Sequence, residues 1–517
     1  MPSVTVERVP SRLSAAILGL LAVLAASALG ASSANGADRV YWANFATDKI
    51  SYANLDGSGG VVDLNTGTAT VKEPSGVAID QVAGRVYWAN HTGGKISWAN
   101  LDGSGGEDLK TGAATVSGPE GVAIDVATRR IYWANEGAPK ISWANLDGSG
   151  GEDLKTGAAM IGTAGGIAVY PAGGRVYWTN FGVFNGWISY ANLDGSGGAT
   201  LSIPSEYMDT PLGVAVDAAA GRLYWALDNP GKIAYAGLDG SSPAILDVRG
   251  LNIAGPYGVA IDPADGKVYV GSTQGNAVAF ARLDGTGGAY LPFSPPKNSG
   301  VNFPALLETP RGTAAPEISR RPEVPPPRAR RMRPRHMGEG RSVGSASLAC
   351  GQGAWAADLV ESFLYRAPLS FSYRWTRDGA DLPGGDAATF QASGVGLYRC
   401  RVTATNRAGS TAQTSVAIAL FEIGGKAKLK LRKGTGLLPV VVPGRGTISL
   451  AGKGVVARTV EASANAKVLV KAKGKALKKL KRKKKVTVNA GLTFTPAEGL
   501  PSSQSTAITL RLRRPRR

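Results

Sequence analysis

Gly84-Arg-Val-Tyr-Trp-Ala-Asn90, Lys95-Ile-Ser-Trp-Ala-Asn-Leu-Asp-Gly103 and Pro119-Glu-Gly-Val-Ala-Ile-Asp125 decide how this chain folds, because the same three pieces recur throughout its N-terminal half. The aromatic pair stands at Tyr41-Trp42, Tyr87-Trp88, Tyr132-Trp133, Tyr177-Trp178 and Tyr224-Trp225 and degenerates to Tyr269-Val270, at spacings of 46, 45, 45, 47 and 45 residues. Val, Ile, Tyr and Trp alternating with small residues suit a pleated, half-buried surface. The Asp-Gly pairs at Asp56, Asp102, Asp147, Asp194, Asp239 and Asp284 supply hairpin turns. Three to four strands per 45 residues is the content of one propeller blade, and helical repeats of that length would lack both the β-branched alternation and the glycine. Six copies predict six blades.

The first copy starts at Val40-Tyr41-Trp42 with no Gly-Val-Ala-Ile-Asp strand before it. Gly300-Val-Asn-Phe-Pro-Ala-Leu-Leu-Glu308 is positioned to complete that blade and close the ring near Thr309, which would remove the open edges. These repeats resemble the YWTD (low-density-lipoprotein-receptor class B) repeats of lipoprotein-receptor ectodomains, over about half of the 517 residues. The resemblance implies a six-bladed β-propeller over 38–309. The family's final Asp is Asn at Asn44, Asn90, Asn135 and Asn180 and Leu at Leu227, which keeps the carbonyl acceptor at the Asn positions but loses the charge.

A chain of this length exceeds one hydrophobic core and suggests three or four domains. Its 70 glycines against 19% charged residues indicate tight turns rather than long solvated helices, hence an all-β chain. Arg8 and Arg12 precede an apolar stretch from Ala15 to Leu29 and a small-residue run from Gly30, so residues 1–36 read as a secretory signal. The alternative, an uncleaved anchor, needs an apolar run of ~20 residues, longer than this one. Residues 310–345 carry nine Arg against three Glu and the run Val324-Pro-Pro-Pro327, which reads as an extended linker.

Cys350 and Cys400 are the only cysteines, and in an exported chain they predict one disulfide rather than a metal pair. With Trp375 and Tyr398-Arg-Cys400 they give residues 346–420 the spacing of an immunoglobulin-like sandwich, and the segment resembles the Ig-like modules of bacterial surface proteins. Residues 421–517 read as a small β-sandwich, similar to C-terminal modules of exported bacterial proteins. They carry 24 Lys and Arg against Glu422, Glu461 and Glu498. The densest stretch, Lys478, Lys479, Lys481, Arg482, Lys483, Lys484 and Lys485, is expected to form a basic hairpin or loop that associates with anionic envelope polymers or lipid head groups. A solvated loop without a partner is the alternative. Nucleic acid is disfavoured, since Phe494 is the only aromatic after Phe421 available for stacking.

Only His91 and His336 are present, which argues against histidine general bases and His-rich metal sites. No cofactor motif stands in suitable context, and no cluster of His, Glu and Asp for the central channel is evident. Asp80, Asp125, Asp217 and Asp262 end the innermost strands, where they cap turns more readily than they ring a cation. Recognition is instead expected from Phe45, His91, Glu136, Phe181, Asp228 and Thr273, which follow each Tyr-Trp-x-Asn in equivalent loops and differ from blade to blade. Blade four adds an apolar insert with Phe184 and Trp187, which either project as an interaction patch or fold back on the blade. The sequence thus reads as a secreted or cell-surface, non-enzymatic binding protein whose propeller takes an extracellular protein or glycan. The rivals are a lyase or lactonase-like enzyme working in the channel, and a purely structural surface protein.

Overall fold

Each repeat folds as an antiparallel sheet whose second strand carries the Tyr-Trp pair. In blade 2 the strands Pro74–Asp80, Arg85–Asn90, Lys95–Asn100 and Gly106–Asp108 are neighbours in that order, with Tyr87 opposite Trp98 and Trp88 opposite Ser97. The computed structural model describes residues 37–182, 185–295, 299–320, 345–424 and 427–513. Residues 1–36, read from the sequence as a secretory signal, Phe184 and the Pro/Arg-rich stretch 321–344 lie outside the described residues. Among the described residues no helix is long and apolar enough to cross a membrane.

Trp42, Trp88, Trp133, Trp178 and Trp225 are fully buried between blades. On the outer side the basic residue opening the second strand lies over the aromatic of the third in every blade, from Arg85 on Trp98 at 3.4 Å to Lys267 on Phe280 at 5.2 Å. The Asn that stands where YWTD repeats carry Asp has a partner for each group. Asn90 Oδ1 accepts from Trp88 Nε1 at 3.2 Å, and its Nδ2 donates to Ser97 Oγ at 2.9 Å. Ser97 Oγ in turn donates to Asp108 Oδ1 at 2.6 Å, and Lys95 pairs with the same carboxylate. The negative charge therefore sits on the fourth strand. Burial opposes ionisation of Asp108, yet the Lys95 and Ser97 contacts hold its carboxyl down at about 2. Asn44 with Ser51 and Asp63, and Asn135 with Ser142 and Asp153, repeat the Asn-Ser-Asp part of this chain.

The ring closes as the sequence implies. Ala305–Leu307 pairs antiparallel with Arg39–Tyr41, Val301 bridges to Asn44, and Thr309 N donates to Asp38 Oδ1 at 2.7 Å. Between neighbouring blades the innermost strands meet at the glycine of Pro-x-Gly. A Cβ on Gly76, Gly121, Gly166 or Gly213 would lie within 3 Å of backbone atoms of the next blade, and one on Gly258 would strike Phe303. Only glycine permits this approach. The four aspartates at the other end of these strands cap turns as expected. Asp80, Asp125, Asp217 and Asp262 accept backbone N–H bonds from residues two or three further on.

Two sandwiches follow. The first contains the sheet Ile318–Arg320, Ser345–Cys350 and Thr389–Ser393, and a second sheet built on Ser370–Arg377 and Gly396–Thr405. The Cys350–Cys400 disulfide joins the two sheets, Trp375 is fully buried, and Tyr398 Oη donates back to Ser393 O at 2.6 Å. Gly312–Ala314 and Ile318–Arg320 belong to this sandwich, so its N-terminal edge lies inside the span read as linker. Their short alternation was hidden by the surrounding prolines and arginines. The C-terminal sandwich stacks a sheet centred on Thr435–Val441 against one centred on Gly446–Ala451 and Lys485–Pro496. Its basic run is not a hairpin or loop: Gly474–Lys483 is an α-helix. Lys, Leu and Ala are strong helix formers, and Leu480 is buried in the core while the lysines face water.

The first sandwich is docked into the propeller. Residues 358–367 leave it and enter the end of the channel bounded by the capping aspartates, where Leu364–Tyr365 adds a parallel strand to Ala305–Leu307. Val360–Ser362 makes a short helical turn there, and Val360, Phe363, Leu364 and Tyr365 join the propeller's own hydrophobic core. Ser362 Oγ donates to Val216 O at 2.5 Å, Gln81 Nε2 donates to Asp358 Oδ1 at 2.5 Å, and Arg366 donates to Asp262 Oδ1 at 3.2 Å. Glu308 lies 3.8 Å from Arg366 and is buried. Burial, reinforced by the charges of Asp262 and Asp38 and opposed by Arg366 and Arg311, pushes its carboxyl up to about 8. In the unfolded chain that carboxyl ionises near 4.5, so between 4.5 and about 8 the folded state holds a proton that the unfolded state lacks. Stability is then full at low pH in this window and falls as pH rises through it. Glu308→Gln is expected to flatten the decline in denaturant midpoint between pH 5 and pH 8, and an unchanged slope would refute this origin.

Candidate functional site

The end of the channel opposite the docked segment is built by a repeated irregularity. In blades 2 to 6 the pairing of the innermost strand with the second strand shifts register at the x-Gly of Pro-x-Gly, or at the corresponding Gly165-Gly166 of blade 4. A bulge of this kind re-aims the side chain at x. One turn of the ring therefore places Asn302, Ser75, Glu120, Gly165, Leu212 and Tyr257 at equivalent positions of blades 1 to 6. Outside them lie the residues singled out by the sequence. The backbone N–H groups of Phe45, His91, Glu136, Asp228 and Thr273 donate to Gly300, Glu73, Gly118, Thr210 and Gly255, each two residues before x or its blade 1 counterpart, and Phe181 pairs with Thr163. The six positions share one face, as their repeat register requires.

The structure brings three of them together and separates the rest. Phe45 and His91 have ring centroids 5.9 Å apart, and His91 Nε2 is 2.5 Å from Glu136 Oε2. His91 Nε2 also lies 3.6 Å from Glu120 Oε1, and its Nδ1 lies 3.6 Å from Glu73 Oε2. Phe181 covers Gly165 on the far side of the mouth. Trp187 opens a strand and lies against Gly162 with its Nε1 near Met160 O at 3.4 Å, so it folds onto the blade rather than projecting. Asp228 stands apart in blade 5, and Thr273 Oγ1 is tied to Gly255 O at 3.0 Å. Burial, with the charge of Asp209, raises the Asp228 carboxyl above its ordinary value.

Glu120, only 3% exposed, is the residue that the sequence reading missed. Ser75 Oγ and Tyr257 Oη both donate to its Oε2, Tyr257 at 3.1 Å, which leaves Oε1 facing the imidazole. Asn302 donates Nδ2 to Ser75 Oγ at 3.4 Å and extends the chain around the ring. The expectation that no cluster of His, Glu and Asp forms at the channel is thereby corrected: His91, Glu120 and Glu136 offer ligand or proton-accepting atoms that all lie within 4.8 Å of one another. One histidine suffices because blade adjacency supplies the carboxylates. The hydrogen bond to Glu136 raises the imidazole to about 9 against the effect of burial, with the charge of Glu120 adding to it. Burial pushes Glu120 up to about 7, against its Ser75 bond and the His91 charge. Glu136 is held below its ordinary value by His91. The mouth is thus a small polar site of one imidazole and three carboxyl groups, counting Glu73, edged by Phe45, Phe181 and Leu212.

No family model matches this chain, and no curated protein matches it. Solved structures do: a chain in a crystal structure of a nidogen/laminin complex, 21% identical, aligns over 52% of this chain and 98% of its own length with a TM-score of 0.44. A TolB-like protein from Agrobacterium tumefaciens, 15% identical, aligns over 50% of this chain and 89% of its own with a TM-score of 0.36.

Proposed function

We propose that this chain is an extracellular, non-enzymatic binding protein of the YWTD-propeller type, whose open face takes a protein partner. An Ig-like module is its brace, and the basic C-terminal module holds it to an anionic envelope. The observation that carries the reading is the asymmetry of the channel. One end is filled by residues 358–367 of the same chain, while the other gathers the variable side chains Phe45, His91, Glu120, Glu136 and Phe181 into one polar mouth with aromatic edges. Such a surface, with rigid strands beneath and differing residues above, suits recognition of a folded or extended partner. The helix Gly474–Lys483, with Lys475, Lys478, Lys479, Lys481, Arg482 and Lys483 on it, suits attraction to polyanions. The disulfide fits an oxidising compartment.

The test uses the full-length chain carrying a photoreactive benzoylphenylalanine in place of Phe181, or in place of exposed Val82 near the occupied end, on envelopes of the cell that makes it. A defined adduct from position 181 and none from 82 is the expected result; matching patterns from both positions, or none from 181, would defeat the reading. In the same experiment, charge reversal of Lys478, Lys479, Lys481 and Lys483 is expected to abolish salt-sensitive retention without changing the adduct. A second reading, an enzyme acting at the mouth, is favoured by the close set of His91, Glu120 and Glu136 alone. It predicts turnover of an added sugar lactone or uronate polymer that Glu120→Gln abolishes.

A further inference from the structure

We infer that His91, Glu120 and Glu136 form a binding site for one divalent transition-metal ion, of zinc-like preference, at the open mouth of the propeller. The donor set is one imidazole nitrogen and two carboxylates on neighbouring blades. Three protein ligands with a fourth position left for water is the ligand count of open zinc sites, with one imidazole where the usual sets have two or three, and the imidazole is what favours a transition metal over calcium. Bond lengths near 2.1 Å place tetrahedral ligand atoms about 3.4 Å apart. The separation of His91 Nε2 from Glu120 Oε1, 3.6 Å, is already close to this value. Glu136 sits 2.5 Å from the same nitrogen, hydrogen-bonded to it, and has to withdraw by about 1 Å to share a metal instead. Its side chain is part-exposed at the start of a loop, so that movement is open to it.

The surroundings point the same way and are independent of the three ligands. Ser75 and Tyr257 fix the far oxygen of Glu120, which presents Oε1 to the site in a set orientation. Glu73 lies 3.6 Å from Nδ1 of His91, on the side of the ring away from the site. At that distance it makes no hydrogen bond, and Nε2 shares its proton with Glu136; once a metal displaces that proton, Nδ1–H is the donor left facing Glu73, the arrangement that orients histidine on zinc. Next on the ring, Asn302 is 1% exposed and its Oδ1 has no hydrogen-bond partner, an uncompensated acceptor beside the hydroxyl that holds Glu120. A buried acceptor left in this way is costly unless an ordered water or ion answers it.

The inference concerns the same face as the proposed recognition but does not depend on a partner, since the ion is expected to bind the isolated chain. The experiment is calorimetric titration of chelator-treated full-length protein with zinc and, separately, with calcium. One zinc per chain is expected, undisplaced by equimolar calcium. His91→Ala and Glu120→Gln are each expected to weaken it more than about a hundredfold by removing a ligand, and Glu73→Gln by about tenfold. Glu136→Gln, at a part-exposed position that tolerates change, serves if the buried Glu120 variant fails to fold. His336→Ala, in the linker, is expected to have no effect. Absence of stoichiometric zinc, calcium binding equally well, retention in both His91→Ala and Glu136→Gln, or loss in His336→Ala would each overturn the assignment. A positive titration with no adduct from position 181 would keep the metal site and remove the partner.

Discussion

Gly166→Ala is expected to lower the stability of the propeller by about 3 kcal/mol or more, at the upper end of what overpacking costs. The added methyl group would stand 2.6 Å from Gly213 Cα, 2.7 Å from Leu212 O and 2.8 Å from Val214 N, all of them backbone. No side chain can rotate out of the way, so the inner strands of blades 4 and 5 must part. They cannot part freely, because on the other side the strands of blades 3 and 4 are as close: a Cβ on Gly121 would stand 2.8 Å from Ile167 N. A closed ring passes the displacement from one blade junction to the next. Gly444→Ala, with open space around its Cβ and no positive φ, is the control and is expected to stay within about 0.5 kcal/mol of the parent. Denaturant unfolding followed by tryptophan fluorescence measures both, and equal midpoints for the two variants would show that the neck does not limit the ring.

Tyr365→Ala is the second large effect, expected to cost about 3–5 kcal/mol as a fully buried aromatic is removed. Its consequence is more specific than its size. Leu306 N and Glu308 N donate to the backbone of Phe363 and Tyr365, so the closing strand of the ring is held on one side by Arg39–Asn44 and on the other by the docked segment. Loss of the Tyr365 ring should let residues 358–367 withdraw, exposing the amides of 306 and 308 to hydrogen exchange and the segment to protease. Destabilisation confined to the first sandwich, with 305–308 still protected, would separate docking from ring closure.

The blades, their number and the strand exchange at closure were legible because each rests on a register repeated at about the same spacing, and the disulfide because two cysteines leave one pairing. The mouth was half legible. His91 and Glu136 lie 45 residues apart, one repeat, and were both named as equivalent face positions, but Glu120 was read only as the x of Pro-x-Gly. Its signal was the chemistry found at x, Ser75, Glu120, Leu212 and Tyr257, in a motif otherwise constant. What turns x into the mouth is a bulge, which follows from strand pairing and not from period-two alternation. The docked segment carried no repeat, and Val360-Glu-Ser-Phe-Leu-Tyr365 looks like any half-buried strand of the sandwich that contains it. The basic helix was misread because charge density was weighed above the helix propensity of Lys, Leu and Ala.

The docked segment also changes what counts as a module in this protein. The propeller's last strand ends at Leu307, yet the residues that cover its floor come some fifty positions later, beyond the arginine-rich stretch. During synthesis the ring is complete before the chain that caps it has been made, and a fragment ending at Thr309 would present Ile79 and Leu306 at an uncovered floor. The transferable unit is therefore propeller and brace together, and shuffling the blades alone into another chain would carry an unfinished surface with them.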